Sequence, residues 1–205
     1  MGDISNSSKP TIYFGFGSNL WRHQMVMRCP TSKYLGIGRL NDFKWIINSR
    51  GYANVVEPPQ ANVSAASGDH KPSAPSYANE VWGLIYSLQP NDEKGLDINE
   101  GVPFAYTKEW MKVDFWAAGE GKKPGQGKNA ETVEMLVYID RKNVVDAKPK
   151  KEYVYRMNMG IKDAVAEGMP EGYVEKVLRR SIPDVEDEGV REEARRQAVE
   201  FEDER

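Results

Sequence analysis

Two periodicities divide the chain. From Thr11 to Ile139 apolar residues recur mostly at every second position, the spacing of strands; after Pro149 they recur at about 3.6, the spacing of helices. The first pattern predicts a strand over 11–17, then a Gly-Ser-Asn turn and a short helix over 19–27, with Leu20, Met25 or Val26, and Met27 available for burial. Residues 34–48 read as two paired or bent strands around a polar Asn41-Asp42 break. In 80–88, Val81 and Ile85 alternate with Trp82, Leu84, Tyr86 and Leu88, and apolar residues on both faces mark a central strand. Met111, Val113, Phe115 and Ala117 share a face of the next strand, and Val133, Met135, Val137 and Ile139 a face of the one after. Tyr138 falls on the opposite side, towards a cavity or solvent, and the glycine- and lysine-rich stretch between these strands reads as a flexible hairpin connection. Tyr153, Met157, Ile161 and Ala164 form one helical stripe; Tyr173, Val174, Val177 and Leu178 form another. The expected fold is therefore α+β, one domain over 11–183 on a mixed or barrel-like sheet, since the regular β-α alternation of a doubly wound sheet is absent.

Three segments stand outside this pattern. Residues 1–10 read as a disordered polar tail, without the apolar run of a signal peptide and with Asn6 where a myristoylation pattern wants Ser or Thr. Residues 57–79 hold four of the 12 prolines and no periodicity, which predicts a long mobile loop. Residues 184–205 are acidic, net −6, and read as a solvated helix or frayed tail, a helix placing Val190, Ala194, Ala198 and Phe201 on one stripe.

Composition then narrows the function. The overall charge of −3 argues against nucleic acid as a partner, and no apolar run is long enough to cross a bilayer. One cysteine, Cys29, rules out an internal disulfide and suggests a reducing, cytoplasmic setting. With only His23 and His70 available as imidazoles, Cys29 is a poor nucleophile candidate, and no metal site is expected.

Two features carry candidate chemistry. Gly15-Phe-Gly-Ser-Asn-Leu20 lacks the third glycine of a dinucleotide fingerprint and the Gly-Lys of a P-loop. It offers instead close backbone approach at Gly17, a helix cap at Ser18 or Asn19, and backbone N–H groups able to hold a carboxylate or carbonyl oxygen. The second feature is Glu100. Gly101 and Pro103 stop a short helix over 92–99, placing Glu100 at the negative end of its dipole, where a carboxylate is disfavoured by about 0.3–1 kcal/mol. A residue that breaks a local rule is a functional candidate, and the same field favours a raised pKa suited to a general acid or base. A third stretch, Gly51-Tyr-Ala-Asn-Val55, says by itself only turn and strand.

Taken together, "YFGFGSNL", "GYANVV", "EVWGLIYSL", "LDINEGV", "MLVYI" and "YRMNMGIKDAVAEGMPEGYVEKVL" resemble the γ-glutamylcyclotransferase family over residues 11–181, and the last motif favours the branch of γ-glutamylcyclotransferases proper. The resemblance implies a mixed β-barrel with peripheral helices, no metal or cofactor, and a small-molecule γ-glutamyl substrate; it also suggests a homodimer. It places the substrate loop at Phe16, Gly17, Ser18, Asn19, Leu20 and Trp21, the catalytic glutamate at Glu100 and a pocket tyrosine at Tyr138, and small residues such as Gly51 and Ala53 are expected to shape the pocket. The implied reaction is a lyase cyclisation of an L-γ-glutamyl amino acid to 5-oxo-L-proline and the free amino acid. Relatives usually carry Tyr where Phe16 stands, and the loop 57–79 is longer than in most, so a cyclotransferase tuned to a specialised γ-glutamyl conjugate or amine is a second reading. A non-catalytic module binding an amino-acid-like ligand is a third.

Overall fold

In the computed structural model of the chain, residues 9–58, 76–119, 124, 129–185 and 187–199 are described. Residues 1–8 of the expected tail 1–10, most of the loop 57–79, most of the hairpin connection near 120–128, and Phe201 lie outside them.

Five strands close a barrel: β1 (Thr11–Gly15), β2 (Lys33–Asn41), β5 (Glu80–Leu88), β6 (Thr107–Ala117) and β7 (Glu131–Ile139), in the order β1-β5-β2-β6-β7. Every pairing is antiparallel except the closing one, where β1 runs parallel to β7 with Tyr13 beside Leu136. The sheet is thus mixed and closed, as the α+β barrel reading expects. β5 sits between β1 and β2 and is buried along nearly its whole length, which explains its apolar residues on both faces. The two strands expected within 34–48 do form, but they do not pair with each other. β3 (Lys44–Ile47) leaves the barrel after Asp42, whose φ is +64°, and pairs with β4 (Ala53–Val56) in a separate hairpin. A left-handed turn at a residue tolerant of it turns the chain out of the sheet.

Among the described residues, five α-helices accompany the strands. They are α1 (Arg22–Arg28), α2 (Pro90–Asn99), α3 (Lys151–Glu167), α4 (Glu171–Lys176) and α5 (Arg191–Val199). In α1 only Met25 of the expected apolar trio is buried, Val26 and Met27 being exposed. The stripe Tyr153, Met157, Ile161 and Ala164 of α3 is fully buried. The second expected helix is shorter than its stripe: regular bonding ends at Val177, and a 3-10 turn over Leu178–Arg180 buries Leu178 and leads Ile182 into the core. The acidic segment departs most from its solvated reading. Helix α5 seats Ala194 and Ala198 against Trp21 and Tyr155, because two small residues one turn apart let the helix lie flat on the aromatic rings.

Helix α3 lies directly on the 3-10 turn Ser18–Leu20 that follows β1. A methyl group on Gly160 would stand 2.8 Å from both the Leu20 Cβ and the Trp21 backbone nitrogen. Alanine would gain about 1 kcal/mol of helix propensity there. The overlap involves backbone and outweighs that gain, so Gly160→Ala is expected to lower stability by about 1–3 kcal/mol in urea denaturation. A higher urea midpoint would show that the turn yields.

Candidate active site

Where β1 and β7 end and β6 begins, the barrel and helices enclose a pocket of about 480 Å³, counting space open to solvent. The glycine turn supplies Phe16, Gly17, Ser18 and Asn19; the end of α2 supplies Asn99 and Glu100; the start of β4 supplies Ala53. Tyr138 comes from β7. Seven of the ten residues anticipated in the sequence therefore meet at one place. Leu20 and Trp21 do not: Leu20 is wholly buried against α3, and Trp21 belongs to the cluster under α5. Gly51 is also off the pocket wall, its φ of +91° serving the turn into β4.

Glu100 is the residue after α2, and its own N–H still bonds to the Leu96 carbonyl at 2.8 Å. Gly101 follows with φ +62°, the left-handed conformation that ends the helix and directs the chain away, leaving the Glu100 side chain turned into the pocket. There its Oε1 accepts from Asn19 Nδ2 at 3.0 Å. Glu100 keeps partial exposure as a residue, but its carboxyl is enclosed by protein, and burial raises its pKa above the usual carboxylate range. Arg28, the Asn19 hydrogen bond, Arg156 and Arg50 oppose that shift without cancelling it.

Asn19 is satisfied on both sides. Its Nδ2 also donates to the Tyr13 hydroxyl at 2.8 Å, and its Oδ1 accepts from Gln24 Nε2 at 2.7 Å and Arg28 Nη1 at 3.4 Å. Donors on one side and acceptors on the other determine which way the amide faces. Ser18 Oγ accepts from Gln24 and from Arg156, each at 3.0 Å, and Glu152 holds Arg156 from below through two bonds. Neither Ser18 nor Asn19 therefore caps a helix as expected; both are tied into a buried polar lattice.

The expected anion cradle is changed as well. The Leu20 N–H bonds to the Gly17 carbonyl at 2.9 Å, and the Ser18 N–H donates to the Tyr153 hydroxyl at 3.2 Å. That hydroxyl also accepts the Ala53 N–H at 3.2 Å, so it joins the glycine turn to β4. Gly17 makes this approach possible, since a Cβ there would lie 2.8 Å from the same oxygen. Tyr138 lines the pocket, and its hydroxyl donates to Asp97 Oδ1 at 2.6 Å. Cys29 is buried, with its thiol pushed up to about 12 by burial and by Asp92, which removes it as a nucleophile at neutral pH. Among the described residues no group of three or more His, Cys, Asp or Glu side chains could hold a metal ion, and no helix is long and apolar enough to cross a membrane.

Seven lining residues went unanticipated: Tyr13, Arg28, Tyr52, Asn99, Tyr106, Tyr153 and Arg156. Tyr153 was placed in the apolar stripe of α3 and so read as core. The available signal was beside it: Glu152 and Arg156, one turn apart, flank that stripe, and charged residues on a buried face need a polar purpose.

No protein-family model matches the chain. Among curated proteins it is 28% identical over 169 residues to human "Gamma-glutamylcyclotransferase", covering 81% of this chain and 76% of that one. It is 25% identical over 184 residues to the mouse protein of the same name, covering 86% and 81%. A solved structure named "Gamma-glutamyl cyclotransferase" superposes with a TM-score of 0.63 at 22% identity, over 92% of this chain and 99% of the other. The chain is a relative of the γ-glutamylcyclotransferases in sequence and shares their fold.

The raised pKa of Glu100 has a consequence for stability. A carboxyl that binds its proton more tightly when folded costs stability as pH climbs from its ordinary value of 4.5 through the raised one, and the cost is constant above. Glu100→Gln should therefore melt at or above the parent's temperature at pH 7, with the gap closing as the buffer is acidified. A parent that outlasts the variant at alkaline pH would contradict the sign of the shift.

Proposed function

We propose that this relative of the γ-glutamylcyclotransferases is itself a cofactor-independent cyclotransferase, converting an L-γ-glutamyl amino acid to 5-oxo-L-proline and the free amino acid. The observation that carries the reading is Glu100: an enclosed carboxyl of raised pKa, held by a single side-chain amide, in a pocket lined by the glycine turn.

In this reading the substrate's α-ammonium gives a proton to the Glu100 carboxylate, and the freed amine attacks its own γ-carbonyl carbon. A five-membered ring forms as the tetrahedral intermediate. The bond to the leaving amine then breaks while Glu100 returns the proton to that nitrogen; the ring nitrogen gives up its second proton through the same carboxylate, so the products are a neutral lactam and an ammonium and no external nucleophile is consumed. Burial that raises the carboxyl's pKa brings it nearer to that of the amine it must deprotonate. The Tyr153 hydroxyl accepts two backbone N–H groups, which polarises it and directs its own proton elsewhere. The γ-carbonyl oxygen, negative in the intermediate, is the acceptor we assign to it. The positive charge of Arg28 and Arg156 on the same wall favours the substrate's α-carboxylate through its field, without a hydrogen bond to it. Enclosure holds the flexible glutamyl chain folded on itself, which turns lost conformational freedom into rate.

Phe16 lines the pocket, its carbonyl accepts from Trp45 Nε1 at 3.1 Å, and its side chain brings no hydroxyl where relatives carry a phenol. This keeps open the second reading, a cyclotransferase for a specialised γ-glutamyl conjugate; comparing γ-glutamyl dipeptides, glutathione and γ-glutamyl-lysine separates the two. The deciding measurement is 5-oxoproline release from γ-glutamyl-alanine by the wild type and by Glu100→Gln. The variant should keep its circular dichroism spectrum and lose turnover by about 10²–10⁴-fold. Near-normal turnover in the variant would remove Glu100 as the base, and a wild type inert on every γ-glutamyl compound would leave the binding-module reading.

A further inference from the structure

Helix α5, within the acidic C-terminal segment, reaches the site. It directs two carbonyls at Arg28, whose Nε donates to Ala198 O at 2.8 Å and whose Nη2 donates to Gln197 O at 2.7 Å. A guanidinium fork suits paired acceptors. Arg28 also lines the Glu100 pocket. Its remaining nitrogen, Nη1, donates to Asn19 Oδ1, and the same amide donates to Glu100. One planar group thus faces the C-terminal helix along one edge and, along the other, the residue that holds the carboxylate.

We propose that helix α5 is a working part of the Glu100 site: its Gln197 and Ala198 carbonyls fix the Arg28 fork so that it steadies Asn19 instead of closing bidentately on Glu100. The inference rests on the cyclotransferase reading of the pocket. Arg28 is a positioning residue in it, and α5 is the restraint on Arg28. A fork released from the carbonyls would find a carboxylate within an enclosed pocket, where a bidentate pair is the strongest arrangement open to both. A carboxylate paired in that way is a weaker base and is drawn away from the substrate amine.

Other charges around Glu100 are held by their own partners. Arg156 is bound by Glu152 on its own helix, and Arg50 lies 3.3 Å from Asp140. The phenols of Tyr13, Tyr106, Tyr138 and Tyr153 all titrate above their ordinary value, and so does Cys29, leaving them neutral at physiological pH. Of the three guanidinium groups that act on Glu100, Arg28 is bonded to helix α5 by two carbonyls.

The test uses two sets of substitutions in the full chain. Ala194→Trp with Ala198→Trp overfills the seat against Trp21 and Tyr155 without changing charge, and release of α5 is read by trypsin cleavage at Arg195 and Arg196. Release should move the acid limb of the kcat profile to lower pH by about one to three units and reduce kcat. Arg28→Lys, which keeps the charge and loses the fork, should move it the same way. Arg28→Met removes the cation and should move it to higher pH. Opposed shifts from Lys and Met at one position are not expected of general loosening, and they decide the matter even where the double tryptophan variant fails to fold. A released helix with an unmoved limb, or Lys and Met shifts in the same direction, overturns the proposal. The ¹³C titration of the Glu100 carboxyl reads the same shifts without turnover. Opposed ¹³C shifts in a protein that makes no 5-oxoproline would therefore sink the enzyme reading and leave the coupling of α5 to Glu100 standing.

Discussion

The side-chain amide of Asn19 is the contact on which the rest of the site depends. It gives hydrogen bonds to Tyr13 of the barrel and to Glu100 at the end of α2, and takes them from Gln24 and Arg28 of α1. Reversing the amide would set its NH₂ against two donors and its oxygen against a carboxylate, so the orientation is fixed by chemistry and by packing together. With the amide fixed, the 3-10 turn that carries it is fixed as well, and the Asn19 backbone carbonyl is held in addition by the Tyr86 hydroxyl at 3.2 Å. Strand, turn and two helices from different parts of the chain are aligned on a single buried group.

The barrel contributes what that group needs in order to stay put. Its one parallel pairing brings β1 beside β7, and Tyr13 meets Tyr138 edge-on with ring centroids 5.6 Å apart. Those rings form a rigid floor, since aromatic side chains on paired strands have little freedom once buried. Helix α3 closes the other side at the shortest distance a glycine permits, and from it Tyr153 and Arg156 reach back into the turn. Close approach and polar contact are two aspects of the same packing: a wider gap at Gly160 or Gly17 would lengthen both bonds to Tyr153.

This division explains what the sequence could show. Period and burial made the strands, the α3 stripe and the central position of β5 legible, because those depend on residues near one another along the chain. Glu100 was legible for a different reason, as a carboxylate placed where a helix end disfavours it. The partners of Glu100 were not, because Asn19 lies 81 residues away and nothing local in its turn separates a helix cap from a buried bridge. Arg28 was hidden in the same way, since a basic residue in the last turn of a helix is what its own dipole prefers. Within the described part of the acidic segment, the solvated reading missed the seat of Ala194 and Ala198, because net charge dominated two alanines whose smallness was the decisive property. Long-range polar pairing and close packing by small residues leave little trace in periodicity.

The electrostatics of the pocket follow from one inequality. Three guanidinium groups act on Glu100 in the direction of ionisation, yet enclosure outweighs them and the pKa stays above its ordinary value. Had the cations won, the carboxylate would be a spectator, too weak a base to take a proton from an ammonium. Had they been absent, burial would have raised the pKa further. The pocket presents both signs of charge without letting them neutralise each other, as the γ-glutamyl substrate proposed for it, with an ammonium and a carboxylate on one carbon, would require. Spending the donors of Arg28 on helix carbonyls and those of Arg156 on Glu152 and Ser18 meets that requirement: the positive charge remains on the wall, and the carboxylate is left to a neutral amide.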